Sequence, residues 1–423
     1  MAKPDLNELG TTGLRRSGGF ITEEFLNQLR GRRGLLVYRE MADNDPVIGS
    51  ILYAIEKVVL RLDWRVDPLE QTPEAEEVAK FIDECFEDMS DSFDQTLASI
   101  LSMLVYGFSF HEIVYKVRGG DVEDPQRKSK HTDGKIGWRK FPIRSQETLN
   151  NWMIDVEGGI QGFRQMDPTG GGFREIPIDK GLLFRTTVNK NNPEGRSLLR
   201  NCFRPWYYKR RIEEIEAIGI ERDLAGLPVA KVPPEYLSSG ATAEQQSVLA
   251  EITKIVQNIK RNEQEGIIFP KMYDENNNEM FSLELLSSGG SRQFDTDKII
   301  GRYDQRISMS VLSDFILLGH EQVGSFALGS QKMDLWTMSV EAIAKSIAEV
   351  FNQYAIPRLL KLNGMNTELC PYLTYGEVSS VDLQALGDYV QKLIGAGALT
   401  PDDKLEAYLR EQASLPPAEN LVE

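Results

Sequence analysis

NPEGRSLLRNCFRPWYYKRRIEEIEAIGIERDLAGLP, residues 192–228, is the stretch on which the reading of this chain turns. Asn192, Pro193 and Gly195 make a turn. A run of helical character follows, with Trp206, Tyr207 and Tyr208 in its first half, and it stops at Gly226 with Pro228 just beyond. The pattern predicts a long helix from about Arg196 to Ala225. A second segment answers it downstream: DFILLGHEQVGSFALGSQK, residues 314–332, opens another long helix that ends in PRLLKLNG, residues 357–364.

Outward from these two segments the chain alternates helical and extended patterns. Asp45-Pro46 reads as a capped helix start, followed by Ile48, Ile51, Leu52, Ile55, Val58, Val59 and Leu62 at helical spacing. DWRVDPL, residues 63–69, reads as a strand. Thr72-Pro73 repeats the cap signal for a helix with Val78, Phe81, Ile82, Cys85 and Phe86 inward. A third helix is predicted from Ser92 to Tyr106, ending at Gly107. From Phe108 to Thr187 short strands alternate with glycine-rich turns, and the polar insert 118–135 reads as an exposed hairpin loop.

After the long helix comes a strand at Val229–Val232. A helix follows with Val248, Leu249, Ile252, Ile255, Val256 and Ile259 on one face, then strands GIIFP and MFSLELL around a turn at Asp274–Glu279. A returning helix is expected from Asp295 to Phe315. The next runs from Ser330 to Leu362, burying Trp336, Val340, Ile343, Ile347, Val350 and Tyr354, with Pro357 expected to kink or interrupt it. ELCPYLTYG reads as a strand, and helices are expected near Val381–Ile394 and Pro401–Arg410.

Candidate chemistry is sparse. Of three histidines, His111 lies in FHEIVY, which lacks the second histidine of a zinc-protease helix, so it reads as a strand histidine. DPTGGGF, residues 167–173, leads to a strand, and a phosphate cradle needs a helix N-terminus. GSFALGSQK, residues 324–332, lacks the Gly-Lys-Ser/Thr of a nucleotide loop, and no G-x-S-x-G elbow occurs. No cofactor and no catalytic or metal site is expected. The stretch Phe315–Gln331 stands out because Glu321 is its only charged residue in a chain that is 26% charged. It reads either as an ordinary loop between core helices or as a mobile, weakly charged contact. Trp206, Tyr207 and Tyr208 beside Lys209, Arg210 and Arg211 read as packing before nucleic-acid stacking, with Glu213, Glu214 and Glu216 supplying opposite charge.

The 423 residues, 41% of them apolar, suffice for two or three domains. No run is long enough for a membrane span, and MAKPDLNELG has no signal-peptide core, so a cytosolic product is expected. Cys85, Cys202 and Cys370 fit reduced core thiols. The net charge of -16 argues against a conventional DNA binder without excluding a protein past which DNA slides; from charge alone, solubility is the simpler account. Residues 1–39 carry seven cationic and four acidic side chains among several glycines. That reads as a flexible, partner-directed arm or as an element exchanged with a neighbouring subunit.

The helix at 196–225, the segment at 314–332 and the order of elements resemble the portal proteins of tailed bacteriophages, most closely the Mu-like branch, from about Asp43 to Gly376. The resemblance implies an α+β portal fold in a ring oligomer. Its parts would be an N-terminal arm (1–42), an α/β wing (43–195) and a first stem helix (196–226). A small α/β clip (227–293), a second stem helix (294–316) and a tunnel loop (317–329) would follow, then a long helix with wing return (330–376) and a helical C-terminal crown (377–423). It implies a dodecameric channel at one capsid vertex for packaging and ejecting double-stranded DNA. Expected partners are the terminase large subunit, a head–tail adaptor, and the major capsid and scaffold proteins, with no membrane. The protein would be found in the virion, and in the host cytoplasm during assembly. Gly319, His320, Glu321, Gln322, Gly324, Ser325 and Phe326 would line the tunnel; Asp274, Glu275, Asn276 and Asn277 would dock clip partners. Trp206, Tyr207, Lys209, Arg210 and Glu213 would form the stem interface between subunits. The rival readings are another head–tail connector or baseplate ring protein, and a cytosolic metal-dependent hydrolase.

Overall fold

The computed structural model describes residues 10–167, 169–225, 227–258, 273, 279–286, 295–311, 313, 326–376, 378, 383–413 and 415. The chain divides into two compact units, Met1–Cys202 with Ser308–Glu423, and Phe203–Ile307.

In the first unit Arg16–Ser17 (β1) and Phe20–Ile21 (β2) pair as a minimal antiparallel hairpin. Its turn lies against residues of a later strand. The Trp152 N–H donates to the Gly19 carbonyl at 3.0 Å, and a Cβ on Gly19 would stand 2.1 Å from the Trp152 carbonyl oxygen. Gly31–Asn44 forms α1, so from Gly31 onward the expected arm is helical and not a flexible segment. Gly34, Tyr38 and Met41 recur at four- and three-residue spacing and are buried, a helical face that the arm's many arginines obscured.

Asp45 caps α2 (Pro46–Arg61), its carboxylate accepting from the N–H groups of Val47 and Ile48 at 3.0 Å each. Ile48, Ile51, Ile55 and Val59 point inward, as their spacing predicts. Trp64–Asp67 is β3, and Thr72 caps α3 (Pro73–Glu87). The predicted third helix divides at Leu101 into α4 (Phe93–Ile100), with a Ser92–Gln95 capping box, and α5 (Ser102–Tyr106). Gly107 ends α5 at φ 95°, and a Cβ there would stand 2.4 Å from the Glu194 carbonyl oxygen.

Eight strands follow: β4 (Phe108–Glu112), β5 (Val114–Val117), β6 (Ile136–Lys140), β7 (Ile143–Arg144), β8 (Leu149–Ile154), β9 (Ile160–Met166), β10 (Phe173–Pro177) and β11 (Gly181–Arg185). They build antiparallel sheets ordered β10-β9-β8 and β11-β4-β7, with β5-β6 as a separate hairpin. Phe108, Phe110, Trp152, Phe163 and Ile176 form the core between the two larger sheets, Phe110 stacked on Phe163 at 4.9 Å.

The insert 118–135 is not simply an exposed loop, because two of its ends are clamped. Arg118 is 2% exposed, pairing with Glu84 at 2.6 Å and Asp133 at 3.1 Å. Asp88 accepts from Ser129 Oγ at 2.6 Å and Lys130 N–H at 2.7 Å, and pairs with buried Lys116 at 3.0 Å.

The second unit begins with α6 (Phe203–Ala225). The helix expected from Arg196 starts later because residues 196–202 hold a turn and a 3-10 segment at Leu198–Arg200; Pro205 sits in the first turn of α6, where its missing N–H costs nothing. β12 (Leu227–Lys231), α7 (Ala243–Asn258) and β13 (Ser282–Leu286) follow, with β12 and β13 antiparallel. Ile252, Phe281 and the edge-on Tyr236 form the small core there, whereas Val248 of the expected inward face is exposed. Ile259 and the GIIFP strand lie outside the described residues. Thr296–Ser310 is α8, shorter than the helix expected to Phe315.

Back in the first unit, α9 (Phe326–Val350) opens four residues before the expected Ser330. Pro357 neither breaks nor ends the run. Phe351–Ala355 forms one π-helical turn, in which the Ile356 N–H donates to the Phe351 carbonyl, and α10 (Ile356–Leu362) continues with Pro357 in its first turn. The wider turn shifts the buried face by one residue. Phe351 and Ala355 are therefore inside, and Tyr354, expected inside, is 40% exposed. Phe351 touches Phe86, Phe93, Phe141 and Phe184, with ring centroids 5.5–5.8 Å apart. Tyr372–Tyr375 (β14) returns to pair antiparallel with β3, and α11 (Leu383–Gly395) and α12 (Asp403–Gln412) close the described chain.

Candidate functional site

The two helices of the second unit run antiparallel. Tyr208 of α6 stacks on Tyr303 of α8 at 6.4 Å, Lys209 pairs with Asp304 at 2.6 Å, and further along α6 Glu216 accepts from the Thr296 hydroxyl near the start of α8. β12, α7 and β13 lie between the end of one helix and the start of the other. The segment from Phe203 to Ser310 thus has the form of two antiparallel helices joined by a small α/β module.

The five residues expected at a stem interface separate. Trp206 is 5% exposed and Lys209 3% exposed, so both belong to the interior of the protomer, with Lys209 spent on Asp304. That corrects their assignment to a surface shared with a neighbour. Arg210 and Glu213 are exposed and Tyr207 half-buried, and among the described side chains of α6 the large apolar ones that are exposed are Tyr208, Ile215, Ile218 and Ile220. Tyr303 and Asp304, which complete this arrangement from α8, were not singled out in the sequence; IIGRYDQR, residues 299–306, offers only an aromatic beside charges.

Of the expected tunnel-loop residues, Gly319, His320, Glu321, Gln322, Gly324 and Ser325 lie outside the described residues. Phe326 begins α9, and Gly329 is helical too, so the described chain enters the helix before the expected loop ends. Asp274, Glu275, Asn276 and Asn277 also lie outside the described residues, but Tyr273 and Glu279 at the two ends of that turn form an antiparallel bridge.

His111 is buried in β4, its Nδ1 2.9 Å from the Phe141 carbonyl oxygen, and burial holds the imidazole down to about 4. A neutral histidine is what a strand interior accepts. The DPTGGG turn is an Asx turn: Asp167 accepts from the Thr169 N–H and hydroxyl and pairs with Arg174, which together hold its carboxyl down to about 2. Among the described residues no three His, Cys, Asp or Glu side chains are grouped to hold a metal ion, and no helix is long and apolar enough to cross a membrane.

The family profile described as the portal protein of Mu bacteriophage matches residues 35–414. The chain belongs to this family. Its role is that of a phage portal, and the family is structural. Solved neck structures carry the same α+β fold. A chain from the neck of a native gene transfer agent particle, computed with C12 symmetry, is similar over 92% of this portal chain and 95% of its own, at 12% identity and a TM-score of 0.54. A chain from the neck of an empty particle, computed with C6 symmetry, is similar over 90% and 94%, at 11% identity and a TM-score of 0.53. A portal protein of the HK97 phage family from Corynebacterium diphtheriae is 13% identical over 83% of this chain and 96% of its own, with a TM-score of 0.45. At these identities the likeness to the two neck chains is one of fold.

Proposed function

We propose that twelve copies of this portal protein close into a ring at one capsid vertex, through which double-stranded DNA is packaged and later ejected. The observation that carries this reading is the antiparallel α6–α8 pair with its α/β module, in a chain matched to the portal family over most of its length. Homo-oligomers close by cyclic symmetry when one surface of the protomer meets a different surface of the next. The exposed seam of Tyr208, Ile215 and Ile218 on α6, with Tyr207, Arg210 and Glu213, supplies one such surface. In this reading α6 and α8 are the stem, residues 227–293 the clip, 317–329 the tunnel loop and 377–423 the crown.

The clip turn, Asp274 to Asn277, would dock the terminase large subunit during packaging and the head–tail adaptor afterwards. Capsid and scaffold proteins would meet the outer faces of the ring, which would assemble in the host cytoplasm and end in the virion. Force and nucleotide hydrolysis would belong to the terminase. Glu321 is the only charged side chain from Phe315 to Gln331, so a constriction built from that segment would pair with few phosphates. The test is the double exchange Glu321→Lys with Gln322→Lys. Rings should still form, while DNA is retained more strongly at low salt and packaging or ejection slows. Parent rates over a range of ionic strength would remove this loop from the DNA path.

A further inference from the structure

α11 and α12 face each other across an apolar groove of about 520 Å³. Leu386 and Ile394 of α11 wall it on one side, Leu405 and Leu409 of α12 on the other, with Ala413 and Leu415 beyond the helix end; Ile394 and Leu415 are exposed. The polar lining is Asp402, Glu406 and Arg410, and Arg410 donates to Glu406 at 2.8 Å. Gly387 lines the groove too, from the body of α11. Its backbone is helical, with no positive φ to require glycine, and among the described residues a Cβ there would meet nothing within 4 Å. Glycine weakens a helix, and here neither backbone conformation nor crowding accounts for it. A wall position without a side chain admits a second stretch of chain against the helix backbone.

The chain itself leads into this groove. After α12 the Leu415 N–H donates to the Arg410 carbonyl at 2.8 Å, the bond that closes a helix end, and Leu415 stands on the groove wall. Residues 416–423 follow as PPAENLVE, in which Leu421 and Val422 are the large apolar side chains. The six steps from Leu415 to Leu421 span at most about 22 Å when extended, and the ten residues of α12 rise about 15 Å. The tether therefore covers the length of the groove, and so short a link holds its ligand at about millimolar local concentration. A free apolar peptide, or the tail of another copy, would have to displace it. This stretch lies past residue 414, where the match to the portal family ends, so the family does not supply its role. We propose that Leu421 and Val422 dock in the groove of their own chain, against Gly387, and close it. The contact lies within one protomer and does not depend on ring closure.

The test uses the full-length protein and a fluorescein-labelled synthetic peptide of residues 416–423. The exchange L421D/V422D should free the groove, so that this variant binds the peptide and the parent binds it about tenfold or more weaker. Amide exchange across α11 and α12 should be faster in L421D/V422D than in the parent, and saturating peptide should restore the parent rate. Adding G387L to L421D/V422D puts a side chain into the groove on a helix that accepts leucine better than glycine, and should abolish peptide binding. If that chain is misfolded, I394D at an exposed wall position should abolish it instead.

Equal peptide affinity of the parent and L421D/V422D, or no binding to either, overturns the proposal. Binding that survives both G387L and I394D overturns it too, because the peptide is then held elsewhere. Mixing L421D/V422D chains with G387L chains, whose tails are intact, decides between one chain and two. Docking within one chain leaves the peptide sites of L421D/V422D open after mixing, and their loss would mean that tails cross between copies.

Discussion

Lys209 of α6 and Asp304 of α8 stand 2.6 Å apart, with the lysine side chain 3% exposed and the aspartate 24% exposed. This pair joins two helices nearly a hundred residues apart in sequence. A buried lysine without its carboxylate is costly, whereas a well-packed apolar replacement of both partners need not be. Asp304→Ala is expected to lower stability by about 2 kcal/mol, discounted for the partly exposed partner, and Lys209→Met with Asp304→Leu to recover most of that loss. Denaturant midpoints of the three variants check it; an additive double variant would contradict it.

Phe351 has no exposed surface and meets four aromatic rings from α3, α4, β11 and the β6–β7 connection. Phe351→Ala should cost about 3–5 kcal/mol, because the cavity is walled by rings that cannot collapse into it. Tyr354→Ala, one helical turn away and 40% exposed, should cost well under that. Equal effects at the two positions would mean that the π turn is absent from the protein in solution.

These two sites also mark how far the sequence could be read. The helix starts at Asp45-Pro46 and Thr72-Pro73 were legible because a capping side chain and a proline act locally. The inward face of α9 was legible up to Ile347, where a regular period holds, and then misplaced, because nothing in FNQYAIP announces a π turn ahead of Pro357. The helix α1 was hidden by its charge, and the break at Leu101 by the absence of any glycine or proline between Ser92 and Tyr106. At the candidate site, Trp206 and Lys209 were read as surface because an aromatic-basic cluster on a long helix has no visible partner until Tyr303 and Asp304 are brought alongside by the antiparallel return of α8.

Asp88 anchors the insert 118–135. Burial would raise its carboxyl, but Ser129, the Lys130 N–H and Lys116 outweigh it and hold the group below the usual carboxylate range. A carboxyl lowered by folding contributes stability above the unfolded value of 3.8, and that contribution is lost as pH falls through the folded one. Asp88→Asn should therefore cost about 2–4 kcal/mol at pH 7 and leave the variant closer to the parent in strong acid. It should also speed cleavage within residues 118–135 in limited proteolysis. An unchanged cleavage rate would separate the insert from its anchor.

Glu194 gives the opposite dependence. Burial pushes its carboxyl up to about 7, the Trp152 indole offsetting part of the rise. Since the unfolded value is 4.5, the folded chain holds the extra proton between the two, and stability falls as pH rises from 4.5 to about 7. Glu194→Gln should remove that slope and stabilise the protein by about 1–2 kcal/mol at pH 8, scaled down for a side chain that is only half-buried. Melting temperatures measured across this range decide it, and a variant that keeps the parent slope would clear Glu194 of the effect.

The ring is the central claim, and imaging the purified full-length protein by negative stain at micromolar concentration, over low and high salt, tests it most directly. The account predicts closed cyclic particles with a central channel and one subunit number, twelve, dominating the class averages. A stable monomer across ordinary salt would contradict it.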